Sequence, residues 1–152
     1  MKKLLSIALL ASLAFAGEEK VISLDEVPPK ILAKVKSILP EVKFISANTE
    51  QEEEYFVYEV QGLFSDQRKV EVDILPNSDI EEIEIEYPFY MVPKAVLKNI
   101  DKKYNGFETT YIEASHSESM KVVKYEFEGI FNNKNLDIEV SADGRKIIES
   151  DN

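Results

Sequence analysis

The sequence contains no cysteine and no tryptophan, and only one histidine (His116) and five glycines in 152 residues. Without cysteine there is no disulfide scaffold, no thiol nucleophile and no cysteine-linked lipid anchor. A single histidine leaves little material for a zinc site or a Ser-His-Asp triad. So few glycines provide no phosphate-cradling loop. Basic side chains are scarce as well: 18 Lys and Arg against 29 Asp and Glu give a formal charge of -11. That balance excludes general nucleic-acid binding, which needs many cations to neutralise phosphates. Long apolar runs are also missing. The stretch from Leu4 to Leu13 falls short of the about 20 apolar residues that span a bilayer.

What is present begins with that same stretch. It follows Lys2 and Lys3 and runs into Ala14, Phe15 and Ala16, the charged, apolar and small-x-small order of a secretory signal peptide. Residues 1–16 are therefore expected to be removed before Gly17. The product is expected to be periplasmic or secreted, of bacterial type, and not stably inserted in a membrane. Loss of Lys2 and Lys3 makes its charge two units more negative.

Two halves of the remaining chain share an order of residues. Val27, Pro28, Ile31 and Val35 are echoed by Val92, Pro93, Val96 and Ile100. Tyr58, Glu59, Val60 and Gly62 are echoed by Tyr125, Glu126, Phe127 and Gly129, and Val70, Val72 and Ile74 by Leu136, Ile138 and Val140. The nearly constant offset reads as duplication of one unit, over residues 17–86 and 87–152. Each unit starts with apolar residues at helical spacing, from 28 to 39 and from 93 to 104, with proline in the first turn. Asn105 and Gly106 supply a left-handed stop to the second. Thereafter the period changes to two. Val70, Val72 and Ile74 alternate with Glu71 and Asp73, and Ile138 and Val140 with Asp137 and Glu139, which predicts strands with one covered and one wet face. Turn residues at 77–79, 132–133 and 143–144 predict antiparallel hairpins. The expected fold class is α+β: two tandem helix-plus-four-stranded antiparallel units forming a continuous sheet or shared core, with the helices on one face.

Charge is sorted by element. The two helical segments hold Lys30, Lys34, Lys36, Lys94, Lys98, Lys102 and Lys103 against Asp101 alone, while the outward strand positions include Glu59, Glu71, Asp73, Glu82, Glu84, Glu126, Asp137 and Glu139. A helix-free, acidic sheet face is the expected result. Such a face either keeps an exported protein soluble or selects a cationic partner. Ser115, His116 and Glu118 crowd together, but neighbours in an extended chain point apart, so they read as a polar hairpin connection. No loop has the spacing of a calcium-binding helix-loop-helix motif. The sequence assigns no catalytic residue, metal ligand or cofactor, and an enzyme is not expected.

The order of Val-Pro helix, Tyr-Glu-(Val or Phe) strand with a glycine two residues on, acid-rich strand and Asp-Gly turn resembles the bacterial PepSY-like family, also described as β-lactamase-inhibitor-like. The residues concerned are Val27, Pro28, Tyr58, Glu59, Val60, Gly62, Val72 and Asp73, then Val92, Pro93, Tyr125, Glu126, Phe127, Gly129, Asp143 and Gly144. The resemblance implies tandem helix-plus-sheet units and a noncatalytic role in the cell envelope. It also implies a protein partner there, with peptidases one class of candidate. The expected function is a protein-binding or inhibitory module that uses its acidic face, with a carboxylate-rich cation binder or sensor as the alternative. The expected partner-binding residues are Tyr55, Val57, Glu59, Glu71, Asp73, Val122, Glu126, Asp137 and Glu139. Tyr55, Val57 and Val122 are placed by strand parity as exposed apolar anchors amid the acids.

Overall fold

A strand that alternates apolar and acidic side chains has one face to bury, and the sheet of this protein lines up that face across such strands as KVEVDI and IEEIEIE. The computed structural model describes residues 18–51 and 56–150. The expected leader and Tyr55 lie outside them. In chain order the elements are β1 (Glu18–Ile22), α1 (Pro29–Ile38), β2 (Lys43–Gln51), β3 (Phe56–Leu63), β4 (Lys69–Ile74), β5 (Ile80–Glu86), α2 (Lys94–Lys103), β6 (Glu108–His116), β7 (Val122–Phe131), β8 (Lys134–Ser141) and β9 (Ile147–Glu149). Single 3-10 turns at Leu24–Glu26 and Phe89–Met91 lead into the helices.

The strands form one antiparallel sheet in the order β1 to β9, each paired with its sequence neighbours. This corrects the expectation of two tandem helix-plus-four-stranded units. The physical reason lies at the centre, where β5 and β6 pair directly from Ile83 opposite His116 to Glu86 opposite Glu113. The backbone groups that would have formed two exposed sheet edges satisfy one another. A further strand, β1, precedes the first helix and pairs with β2.

Both helices start behind a proline, Pro28 or Pro93, and both end at a residue near φ -125, Leu39 or Tyr104. Ile31 and Val35 of α1 pack with Phe44, Ala47, Val60, Val72, Ile74, Ile83 and Ile85. Val96 and Ile100 of α2 pack with Ile112, Ala114, Tyr125, Phe127, Ile138 and Val140. Ile85 and Ala114 are register partners, so the two clusters lie on the same side of the sheet. Tyr87, at the end of β5, packs against both. The hairpin turns use the expected chemistry: Asn132 and Asn133 both have positive φ, the left-handed conformation that the two-residue turn between β7 and β8 requires, and Ser78 and Gly144 supply one positive φ each in longer hairpin loops.

Candidate functional site: an acidic sheet face

The parity that points Val60, Val72, Ile83 and Phe127 at the helices points their neighbours the other way. Register aligns those neighbours into rows. One row reads Asn48, Glu59, Asp73, Glu82 across β2 to β5. The next reads Ser46, Gln61, Glu71, Glu84, Ser115, Lys124, Ser141 across β2 to β8. A third reads Glu86, Glu113, Glu126, Glu139 across β5 to β8. Strands lie about 4.8 Å apart, so carboxylates face carboxylates at Glu71 and Glu84, Asp73 and Glu82, and Glu113 and Glu126. Like charges directly opposite destabilise a sheet.

One cation relieves part of this. Lys124 Nζ lies 2.8 Å from Glu126, 3.3 Å from Glu139 and 3.5 Å from Glu82. Burial alone would lower the Lys124 pKa, but the hydrogen bond to Glu126 and the surrounding carboxylates reverse this and hold it above the ordinary lysine value. Neutral amides relieve another part. Asn48 Nδ2 donates to Glu19 at 2.7 Å and to Glu59 at 3.2 Å, while Gln61 Nε2 donates to Glu71 at 2.6 Å. The Tyr111 hydroxyl donates to Glu113 at 2.7 Å.

Burial and mutual repulsion also shift several of these acids toward keeping their protons. Burial, then the charge of Glu71, pushes Glu59 up to about 7. Burial, then Glu113 and Glu82, pushes Glu84 up to about 9. Burial followed by the neighbouring carboxylates carries Asp73 well above the usual range. Glu71 and Glu113 are raised mainly by burial, against the hydrogen bonds that Gln61 and Tyr111 give them. Strand parity puts Glu59, Glu71, Asp73 and Glu84 on the face expected to be wet, yet they, with Glu113, are half-buried in the sheet, the Asp73 side chain most deeply. Two triplets, Glu59 with Glu71 and Asp73, and Glu82 with Glu84 and Glu126, bring carboxylate oxygens within 4.8 Å of one another.

Of the residues singled out by sequence, Glu59, Glu71, Asp73, Glu126, Asp137 and Glu139 come together on this face. The apolar anchors do not. Val57 shares the parity of Glu59 but is only 5% exposed. Val122 packs against the α2 cluster, because a bulge gives β7 an extra residue, Val123, between the pairs Ser115–Lys124 and His116–Val122. The bulge reverses parity, so Val123 is exposed instead. Sequence reasoning left Glu113 and Lys124 out of the site. Lys124 had a signal, since it is the only base in the outward alternation with Glu126 and Glu128. His116 is not a surface connection: it is buried, with Nε2 3.1 Å from the Tyr87 hydroxyl. Burial pushes its pKa down.

Among the described residues no helix is long and apolar enough to cross a membrane. No protein-family model matches the chain, and no curated protein matches it. Solved structures do. A DUF2874 family protein from Bacteroides uniformis ATCC 8492 gives a TM-score of 0.62 at 15% identity, covering 80% of this chain and 88% of that one. A BLIP-like protein from Bacteroides fragilis NCTC 9343 gives a TM-score of 0.59 at 22% identity, covering 82% of this chain and 86% of that one. Identities this low speak to architecture alone, and the architecture of this chain is a BLIP-like fold.

Proposed function

We propose that the protein is a noncatalytic binding module of the bacterial cell envelope, docking a cationic region of a protein partner on its acidic sheet face. The observation that carries this reading is the register of carboxylates across β3 to β8, relieved by the ammonium of Lys124. A field of one sign over a broad face accelerates encounter with an opposite charge and rejects like-charged proteins. The BLIP-like fold supports a binding role. The resemblance to the PepSY-like family supports an exported one, with Glu59, Glu71, Asp73, Glu126, Asp137 and Glu139 as the docking residues.

The test is kinetic. A partner captured from a periplasmic extract should associate more slowly as salt rises. Replacing Glu71, Asp73, Asp137 and Glu139 together by their amides should slow association further and flatten the salt dependence, because charge acts mainly on the on-rate. Equal association rates for variant and parent at low salt would remove the sheet face from the interaction.

A further inference from the structure

Two hairpins of the sheet treat the same pair of acids differently. In β7–β8, Glu126 and Glu139 are register partners. Lys124, two residues before Glu126, places its ammonium 2.8 Å from one and 3.3 Å from the other. In β3–β4, Glu59 and Asp73 are register partners in the same way. Two residues before Glu59 stands Val57, which brings no charge. Among the described residues no lysine or arginine is ion-paired with Glu59, Glu71 or Asp73. One hairpin carries its own cation, and the other has carboxylates without one.

Asp73 adds an independent sign. Its side chain is deeply buried, and Oδ1 is closed off from solvent with no hydrogen-bond partner. A native buried oxygen left unsatisfied calls for an explanation, an ion being one of the few. The two flanking acids are held from outside the triplet: Asn48 bonds one oxygen of Glu59 and Gln61 one oxygen of Glu71, leaving each a second oxygen.

We propose that Glu59, Glu71 and Asp73 bind one divalent cation of the calcium class. Three carboxylates form an all-oxygen donor set, which suits a hard cation and not a transition metal that prefers nitrogen or sulfur. Their oxygens lie within 4.8 Å of one another. Two ligands on one calcium ion, each at about 2.4 Å, can be no farther apart than that. The ion performs for Glu59 and Asp73 the service that Lys124 performs for Glu126 and Glu139. The assignment stands apart from partner docking, since it requires no second protein.

Isothermal titration of calcium chloride at about 0.15 M sodium chloride, where diffuse ion attraction is screened, tests it on three proteins. The parent should take one ion saturably and release protons as it does so, because a metal displaces them from carboxylates. Asp73→Asn should keep its circular dichroism spectrum and lose affinity by more than the about 10–100-fold that removal of an outer-shell partner costs. Lys124→Met should take a second ion, at Glu82, Glu84 and Glu126, whose oxygens lie within 4.8 Å of one another and which then lack the ammonium beside Glu82 and Glu126. Heat that never saturates in the parent overturns the proposal, as does unchanged binding in Asp73→Asn. A Lys124→Met protein that still takes one ion overturns the comparison of hairpins on which the assignment rests.

Discussion

Glu84 sits in the middle of the sheet, with Glu71 opposite it on one side and Ser115 on the other. Its pKa of about 9 in the folded protein lies far above that of the unfolded chain, and Glu59, Glu71, Asp73 and Glu113 are shifted in the same direction. The folded state therefore holds more protons than the unfolded state once the pH exceeds the ordinary carboxylate range. Stability from these groups is complete below about pH 4.5 and is lost as pH rises through 7 and toward 9. Glu26, Asp66 and Asp143, with lowered values, act oppositely but only at the acid end, and they are exposed. The melting temperature should accordingly fall from pH 5 to pH 9. Glu84→Gln should raise stability at pH 8 by on the order of 1–3 kcal/mol and flatten the profile, measured by urea unfolding at both ends of the range. A parent protein that is more stable at pH 9 than at pH 5 would show that these carboxylates ionise freely. Sequence parity located Glu71, Asp73 and Glu84 correctly but could not show their burial, which depends on how closely neighbouring strands stack their side chains.

At the scale of elements, the hairpins were legible wherever a strict period of two met a turn residue, as in Val70 to Ile74 and Leu136 to Val140. The helices were legible from their proline starts and apolar stripes. Bulges were not. The extra residue at Val123 leaves no mark on composition, yet it moves Val122 from the acidic face to the helix side. The register also shifts between Phe44 and Ser46 and between Thr109 and Tyr111, at the starts of β2 and β6. Each of these starts lies against a glycine of the next strand. A Cβ on Gly129 would collide with the Glu108 carbonyl oxygen and the Phe107 ring, and one on Gly62 with Val42 and the Lys43 carbonyl. Replacing a strand glycine by alanine normally gains about 0.4–1 kcal/mol by restricting the unfolded chain. Here overpacking against a fixed backbone costs about 1–3 kcal/mol, so the steric loss exceeds the gain. Gly129→Ala should destabilise the protein, read as a lower urea midpoint with an unchanged slope. A higher midpoint would mean that β6 can move away from β7 at little cost. The shared Tyr-Glu-x-x-Gly order of β3 and β7 is in this respect a packing signature as much as a binding one.

The whole molecule is a charge-sorted slab, with lysine-bearing helices on one side of the sheet and carboxylates on the other. From Glu59 on β3 to Glu139 on β8 there are five strand spacings, or about 24 Å. The screening length is about 30 Å at 0.01 M salt and about 10 Å at 0.1 M. At the lower salt every ionised carboxylate on the face repels every other. At the higher one, repulsion reaches only about two strands. Sodium chloride should therefore raise the melting temperature between 0.01 and 0.1 M at pH 8, with a gain of about 1 kcal/mol appearing as about 3 °C for a chain of this size. Further salt should add less, because acids one strand apart lie inside the remaining screening length and need an ion between them. At pH 5 the acids with raised pKa hold their protons, and the same salt series should be nearly flat. A salt response as large at pH 5 as at pH 8 would place the repulsion outside the groups whose pKa the sheet raises, since Glu59, at about 7, is the kind of group that ionises between these two conditions.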